Sequence, residues 1–415
     1  MSQNSTLPKT NPYISWLIAT SFVVFQFFLQ NSSSLMNEYW AKDFQLSTIQ
    51  VSNLSAAFFY TYVLMQVPVG VLYDRFNTKK ILFIAALLLA IGCILLSLSP
   101  NYYIAVIARF LMGTGASFGY IGMLKVVLDN FKANKFALIL GIGETISMIC
   151  ITLGIIALGF FLKTNSWRTS MFICGVFAII LAIAIKSYIR DKPRQANIVP
   201  LVEIMIQIKS LILNKQVVLC SIYGFFAFSI FNAFTSLWGV SFLTNTYQYS
   251  PELAASMISI VFIGVGVGAP MWGFLSKSYG NHLKIMLTSA IGITIVNFCI
   301  IIIPWLNELM MFIMLFLSGL FCSGYLQAFT IVKDSADPKL SGTALAFANM
   351  VLMAGAPIFQ IFVATLLQGN LFHLATAANY RFALAIIPLG NLICIALCYY
   401  IKEPQKHVIK TEMSI

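Results

Sequence analysis

The chain has 415 residues, of which 60% are apolar and only 9% are Asp, Glu, Lys or Arg, against about a quarter charged in an ordinary soluble protein. That balance excludes a cytosolic enzyme, a secreted disulfide scaffold and a compact nucleic-acid binder, and marks a multi-pass protein of the lipid bilayer. The 25 basic and 13 acidic residues leave a net charge of +12, whose meaning depends on where the cations lie.

A bilayer-crossing helix takes about 20 predominantly apolar residues. Stretches of that length fall at roughly 14–37, 50–72, 81–99, 103–125, 136–162, 169–186, 217–242, 253–275, 283–303, 309–331, 341–367 and 381–401, predicting twelve transmembrane helices. The first carries Gln26, Gln30 and Asn31 within apolar text. The second carries Tyr62 and Gln66 and ends in Gly70-x-x-x-Asp74-Arg75-x-x-x-Lys79-Lys80. Gly70 permits close helix approach there, and Asp74 has the charge to cap the N-terminus of a neighbouring helix. The fourth contains Arg109-Phe110-Leu111-Met112-Gly113-Thr114-Gly115-Ala116. Arg109 is thus a charge within the span, Gly115 and Gly119 form a stripe for close packing, and Lys125 reads as a gate residue near Asp74 or Asp129.

The fifth span holds Glu144, the one acid of thirteen that lies well inside an apolar stretch. It sits about 12 Å along the helix from residue 136 at a rise near 1.5 Å per residue. An isolated carboxylate at that depth is costly, so it must pair, take up a proton or face water. The interruption at 187–216 starts with Arg190, Lys192 and Arg194 and continues as LVEIMIQIKSLIL, whose apolar spacing predicts a helix lying along the membrane surface. Further polar candidates for a cavity, or for helix-packing hydrogen bonds, are Asn232 and Trp238 in the seventh span, Gln327 in the tenth and Asn349 in the eleventh. Gly264, Gly266 and Gly268 form a packing face. Pro68, Pro270, Pro357 and Pro388 suit helix kinks.

With the N-terminus inside, loops on the inner side hold twenty Lys and Arg, and those on the outer side hold four: Lys42, Lys163, Arg168 and Arg381. This asymmetry places both termini in the cytoplasm and makes the positive charge a topology signal. The chain also repeats at half length. Gly70–Lys80 resembles Gly273–His282 at an offset of 203; Gly119-Tyr120 matches Gly324-Tyr325 and Asp129 matches Asp334, both at 205. The repeat implies two pseudo-symmetric six-helix bundles, 1–186 and 217–415, joined by a cytoplasmic linker at 187–216. All eight cysteines fall in apolar stretches without a C-x-x-C pair, and no phosphate loop, metal-ligand set or catalytic constellation is present. No enzyme, cofactor or metal site is expected.

The Gly70–Lys80 text is similar to the G-x-L-x-D-R-x-G-R-K loop of the major facilitator superfamily, with Asn77 where the family usually has glycine, and Arg109–Ala116 is similar to its R-F-x-x-G-x-G pattern. The resemblance covers essentially the whole chain. It implies an all-α membrane protein of the MFS fold, a monomeric secondary transporter working by alternating access. It also implies that Asp74 meets the start of the eleventh span and that Arg109 and Glu144 sit on adjacent helices. Glu144 is then the expected proton-coupling group, driven by the proton gradient, with Arg109 holding a substrate carboxylate or tuning Glu144. A zwitterion would satisfy both charges, pointing to an amino acid, short peptide or similar nutrient taken up across a bacterial inner membrane. Two other readings are an efflux antiporter for drugs or metabolites, and a transporter-like nutrient sensor.

Overall fold

The computed structural model describes residues 11–131, 133–189, 209–337, 340–370 and 372–403. The expected surface helix of the linker falls mostly at 190–208, outside the described residues. Helix starts follow local capping chemistry. Asn11, Asn101, Ser166, Asn214, Ser250, Asn281 and Asn307 each accept a backbone N–H of the helix they precede, and Ser47 with Gln50 forms a capping box.

The first span is Pro12–Asn31 continued by Ser33–Asp43; the second to sixth are Thr48–Arg75, Thr78–Ser97, Tyr102–Ala116 with Gly119–Asn130, Ala133–Phe161 and Trp167–Tyr188. The seventh runs from Lys215 to Tyr247 through two π turns, Phe225–Ser229 and Phe234–Trp238. Then follow Pro251–Tyr279, His282–Ile302, Glu308–Cys322 with Leu326–Ser335, Ser341–Gly369, and Thr376–Leu384 with Ile386–Cys398. Eleven of these segments are long and apolar enough to cross a membrane. The helix Thr48–Arg75, 28 residues long and about 42 Å at 1.5 Å per residue, runs between the same two faces and makes the twelfth.

The duplication extends to backbone detail. Gln45 and Gln248 take φ of 54° and 59° at the ends of the first and seventh spans. The fourth span breaks at Ser117–Phe118 and the tenth passes through a 3-10 turn at Ser323–Tyr325. A Cβ on Gly113 would meet the Phe58 carbonyl of the second span, and one on Gly319 the Val261 carbonyl of the eighth. Each half therefore brings two backbones together at the same point through a glycine. The interruptions do not follow the prolines: helices run on through Pro68, Pro270 and Pro357, and only Pro388 stands beside a break, at Ala385. Ser32 and Ser117, whose hydroxyls bond back to Leu29 O and Thr114 O, occupy two of the breaks instead.

Candidate functional site

The face holding Asn11, Ile189 and Glu403 is called here the terminal face; Ser15 Oγ donates to Tyr188 O there at 3.0 Å. Several polar contacts join the two halves at mid-depth and toward the opposite face. The fifth and eighth spans meet at Met148 with Gly266, at Thr152 Oγ1 to Ser259 O (3.2 Å) and at the Lys163–Glu252 ion pair (3.5 Å). The first and seventh meet through Gln30 Nε2 to Asn232 Oδ1 (3.0 Å) and Asn37 Nδ2 to Ser241 Oγ (2.8 Å). The second and eleventh meet through Asn349 Nδ2 to Gln66 Oε1 (3.1 Å) and Ile49 N to Gln368 Oε1 (3.2 Å). Beyond Gln66 and Asn349, nothing lies within 4 Å of a Cβ added to Gly70 or Gly342. The close approach expected at Gly70 is therefore not seen at that residue.

Glu144 stands one helical turn on the terminal side of Met148, where the fifth span meets the eighth. Its residue is partly accessible, yet Oε1 is buried without a hydrogen-bond partner. The Tyr120 hydroxyl stands beside the carboxyl, and the Tyr62 and Tyr325 hydroxyls lie within its electrostatic reach. Gln26 is 1% exposed with both amide atoms unpartnered by the hydrogen-bond geometry, and its Oε1 lies against Gly119, next to Tyr120. Gln66 adjoins Tyr62 and donates to the Tyr62 carbonyl at 3.4 Å. Tyrosines from the second, fourth and tenth spans thus stand around one carboxyl of the fifth.

Arg109 is not part of this group. It is fully buried, and its guanidinium donates from Nε to Leu54 O (3.3 Å), from Nη1 to Leu29 O (3.3 Å), and from Nη2 to Ser33 Oγ (2.9 Å) and Ser55 O (3.2 Å). Phe58 and Trp40 flank it at 4.9 and 5.7 Å from their ring centres. The side chain ties the fourth span to the first two, and no bond to Glu144 is among its contacts.

The remaining candidates divide. Gln30 and Asn232 meet across the halves. Trp238 Nε1 donates to Gln360 O at 3.2 Å within the second half, and Asn31 Nδ2 bonds back to Phe27 O at 2.9 Å. Gln327 Oε1 is 2.8 Å from His282 Nδ1, in a cleft of about 490 Å³ that also includes Gly273 and Ser276 but not Glu144. Of the gate residues, Lys79 and Lys125 are each engaged by a partner and Lys80 is exposed; the Asp74 and Arg75 side chains lie outside the described residues. Tyr120 and Tyr325 were not singled out from the sequence. The signal for them was the repeat itself, which pairs them at an offset of 205.

Residues 17–243, and again 238–414, match the Major Facilitator Superfamily. The chain belongs to this superfamily. Within it, the chain is 24% identical over 268 residues to the hexuronate transporter of Bacillus subtilis (strain 168), covering 60% of each, and 22% identical over 189 residues to the uncharacterized transporter YybO of the same strain, covering 46% of this chain and 43% of that one. The chain thus spans about half the length of the curated relatives it matches. A bacterial homolog of the human lysosomal transporter Spinster, inward-facing and unoccupied, superposes with a TM-score of 0.74 at 16% identity over 94% of this chain and 96% of that one. The D-xylose-proton symporter gives 0.75 at 13% identity over 95% and 98%. These likenesses show a common superfamily fold.

Proposed function

We propose that the chain is a secondary transporter that moves a small polar solute by alternating access, with Glu144 as the group that couples transport to protons. The observation that carries this reading is the position of Glu144. It is a lone carboxyl deep in the fifth span, near the seam of the two six-helix halves, with tyrosine hydroxyls from both halves in its reach. A charged carboxylate in that setting is costly, and a protonated one is not. Proton uptake and release at Glu144 therefore change the energy of closing the halves around it. The two-half architecture supplies the motion: parting one face while the other is held by the Gln30–Asn232, Asn37–Ser241 and Lys163–Glu252 contacts.

The terminal face is assigned to the cytoplasm, and the membrane to a bacterial inner membrane, on the strength of the twenty-to-four bias of Lys and Arg. The site is completed within one chain, so a monomer suffices. Solved relatives of the same fold include a sugar–proton symporter and a nucleoside transporter, and a sequence relative carries a hexuronate name; all three support a polar nutrient as cargo. A zwitterion would need Arg109 as its cationic partner, and Arg109 has its donors bound to Leu29, Ser33, Leu54 and Ser55.

The test is uptake by the purified full chain in proteoliposomes, acidic outside and alkaline inside, across labelled sugars, nucleosides, amino acids and dipeptides. Accumulation that collapses with a protonophore supports the reading. Accumulation unaffected by the protonophore, or only outward movement against an opposed gradient, replaces proton-coupled uptake with uniport or efflux exchange.

A further inference from the structure

We infer that the solute recognised at the Glu144 site is uncharged and rich in hydroxyl groups, and that solutes carrying a carboxylate or phosphate are refused. This rests on the transport reading above and goes past it to the chemistry of the cargo.

Charge is the first consideration. Among the described residues the central group contains one ionisable acid, Glu144, and no available cation. Arg109 is 0% exposed and bonded to three backbone carbonyls and the Ser33 hydroxyl. Lys125, five residues beyond Tyr120 toward the terminal face, already has a partner. An anionic solute would therefore be held in a low-dielectric site with no opposite charge and with Glu144 nearby to repel it. A cationic solute would pair with charged Glu144, but its binding would swing with every protonation of that group. A neutral solute is held in both protonation states of the cycle.

Hydrogen-bonding capacity is the second. The polar groups around the carboxyl are of mixed type. Gln26 offers a carbonyl and an amide beside the Tyr62 hydroxyl, and Glu144 Oε1 is an unpartnered acceptor. The three tyrosine hydroxyls around the carboxyl, Tyr62, Tyr120 and Tyr325, each donate and accept. Buried polar atoms left without partners in a native fold are met by a ligand or by water. A carboxylate only accepts and an ammonium only donates, so either leaves part of this set unsatisfied. A solute hydroxyl does both, and several adjacent hydroxyls match several adjacent mixed groups. Phe58 stacked on Tyr62 and Phe228 set 4.7 Å from Tyr325 give two of these hydroxyl-bearing rings an apolar backing, so that they point from fixed positions.

The experiment uses matched solutes that differ in one functional group and its charge: D-glucose, D-glucuronate and D-glucosamine as one set, and uridine with uridine 5′-monophosphate as another. Binding to the full chain in detergent is read by thermal shift and tryptophan fluorescence, and uptake is read in proteoliposomes. The expected result is saturable binding of the neutral member of at least one set, with its charged counterparts weaker by about tenfold or more. Gln26→Ala should weaken the neutral solute by about tenfold in the protein that remains folded, with its stability without ligand measured alongside. Preference for an acid or amine member overturns the inference, as does the absence of binding by every neutral member. Gradient-driven uptake of an acid would sink this inference and leave the transport reading standing. Binding of a neutral solute without any transport would do the reverse.

Discussion

The Arg109 clamp makes a prediction that separates a structural cation from a substrate-binding one. Arg109→Met keeps the bulk of the side chain and removes four hydrogen bonds, to Leu29 O, Ser33 Oγ, Leu54 O and Ser55 O, together with the contacts over Phe58 and Trp40. Interhelical hydrogen bonds in membrane proteins average about 0.6 kcal/mol each, and a ring contact with a cation adds about 0.5–1 kcal/mol. Relief of a buried charge trims the total, since the three carbonyls belong to helices and the cation's own desolvation disappears. The expected loss is about 1–3 kcal/mol, a factor of about 5–150 in the folding equilibrium. It is measured by denaturation in mixed micelles of the purified wild type and variant. The same preparations, assayed for uptake, should show a KM within about twofold of wild type in the folded fraction. An unchanged stability with KM raised about tenfold or more would refute the clamp and return Arg109 to the substrate.

Other outcomes follow from the same geometry. Gly113→Val and Gly319→Val each place side-chain atoms against a backbone carbonyl, Phe58 O or Val261 O. Both should destabilise by at least about 1–3 kcal/mol, seen as loss of monodisperse protein on gel filtration; normal yield from either would show that the two helices of that half do not meet through this glycine. Lys163→Ala removes the 3.5 Å pair with Glu252, whose side chains are 54% and 12% exposed. An exposed pair is worth at most about 1 kcal/mol, so the population should shift by no more than about fivefold toward opening of the opposite face. Distances between spin labels on the loops at 98–101 and 303–307 report it, and a complete switch of state would contradict the weak-latch reading.

Much of this arrangement is legible in the residues alone. The twelve spans follow from apolar length, and the two halves follow from offsets of 203 and 205. Glu144 stands out because twelve of thirteen acids lie elsewhere than deep in a span. The sequence is silent where backbone groups act as partners. Arg109 looks like a functional charge because nothing in composition reveals that Leu29 and Leu54 present carbonyls to it. Tyr120 and Tyr325 look like ordinary span residues until the fold brings both near Glu144. Proline positions do not mark the breaks. Neighbouring helices and serine side chains absorb or create irregularity in a bilayer, so the first and fourth spans break at Ser32 and Ser117 while the second and eleventh run on through Pro68 and Pro357.

The most direct measurement of the central claim compares wild type with Glu144→Gln in two modes on the same proteoliposomes: solute accumulation driven by an imposed proton gradient, and solute counterflow without one. The account predicts that the variant loses gradient-driven accumulation while counterflow persists, because the halves still exchange around a permanently neutral side chain. Accumulation at the wild-type level in Glu144→Gln would contradict it and remove Glu144 from the coupling mechanism.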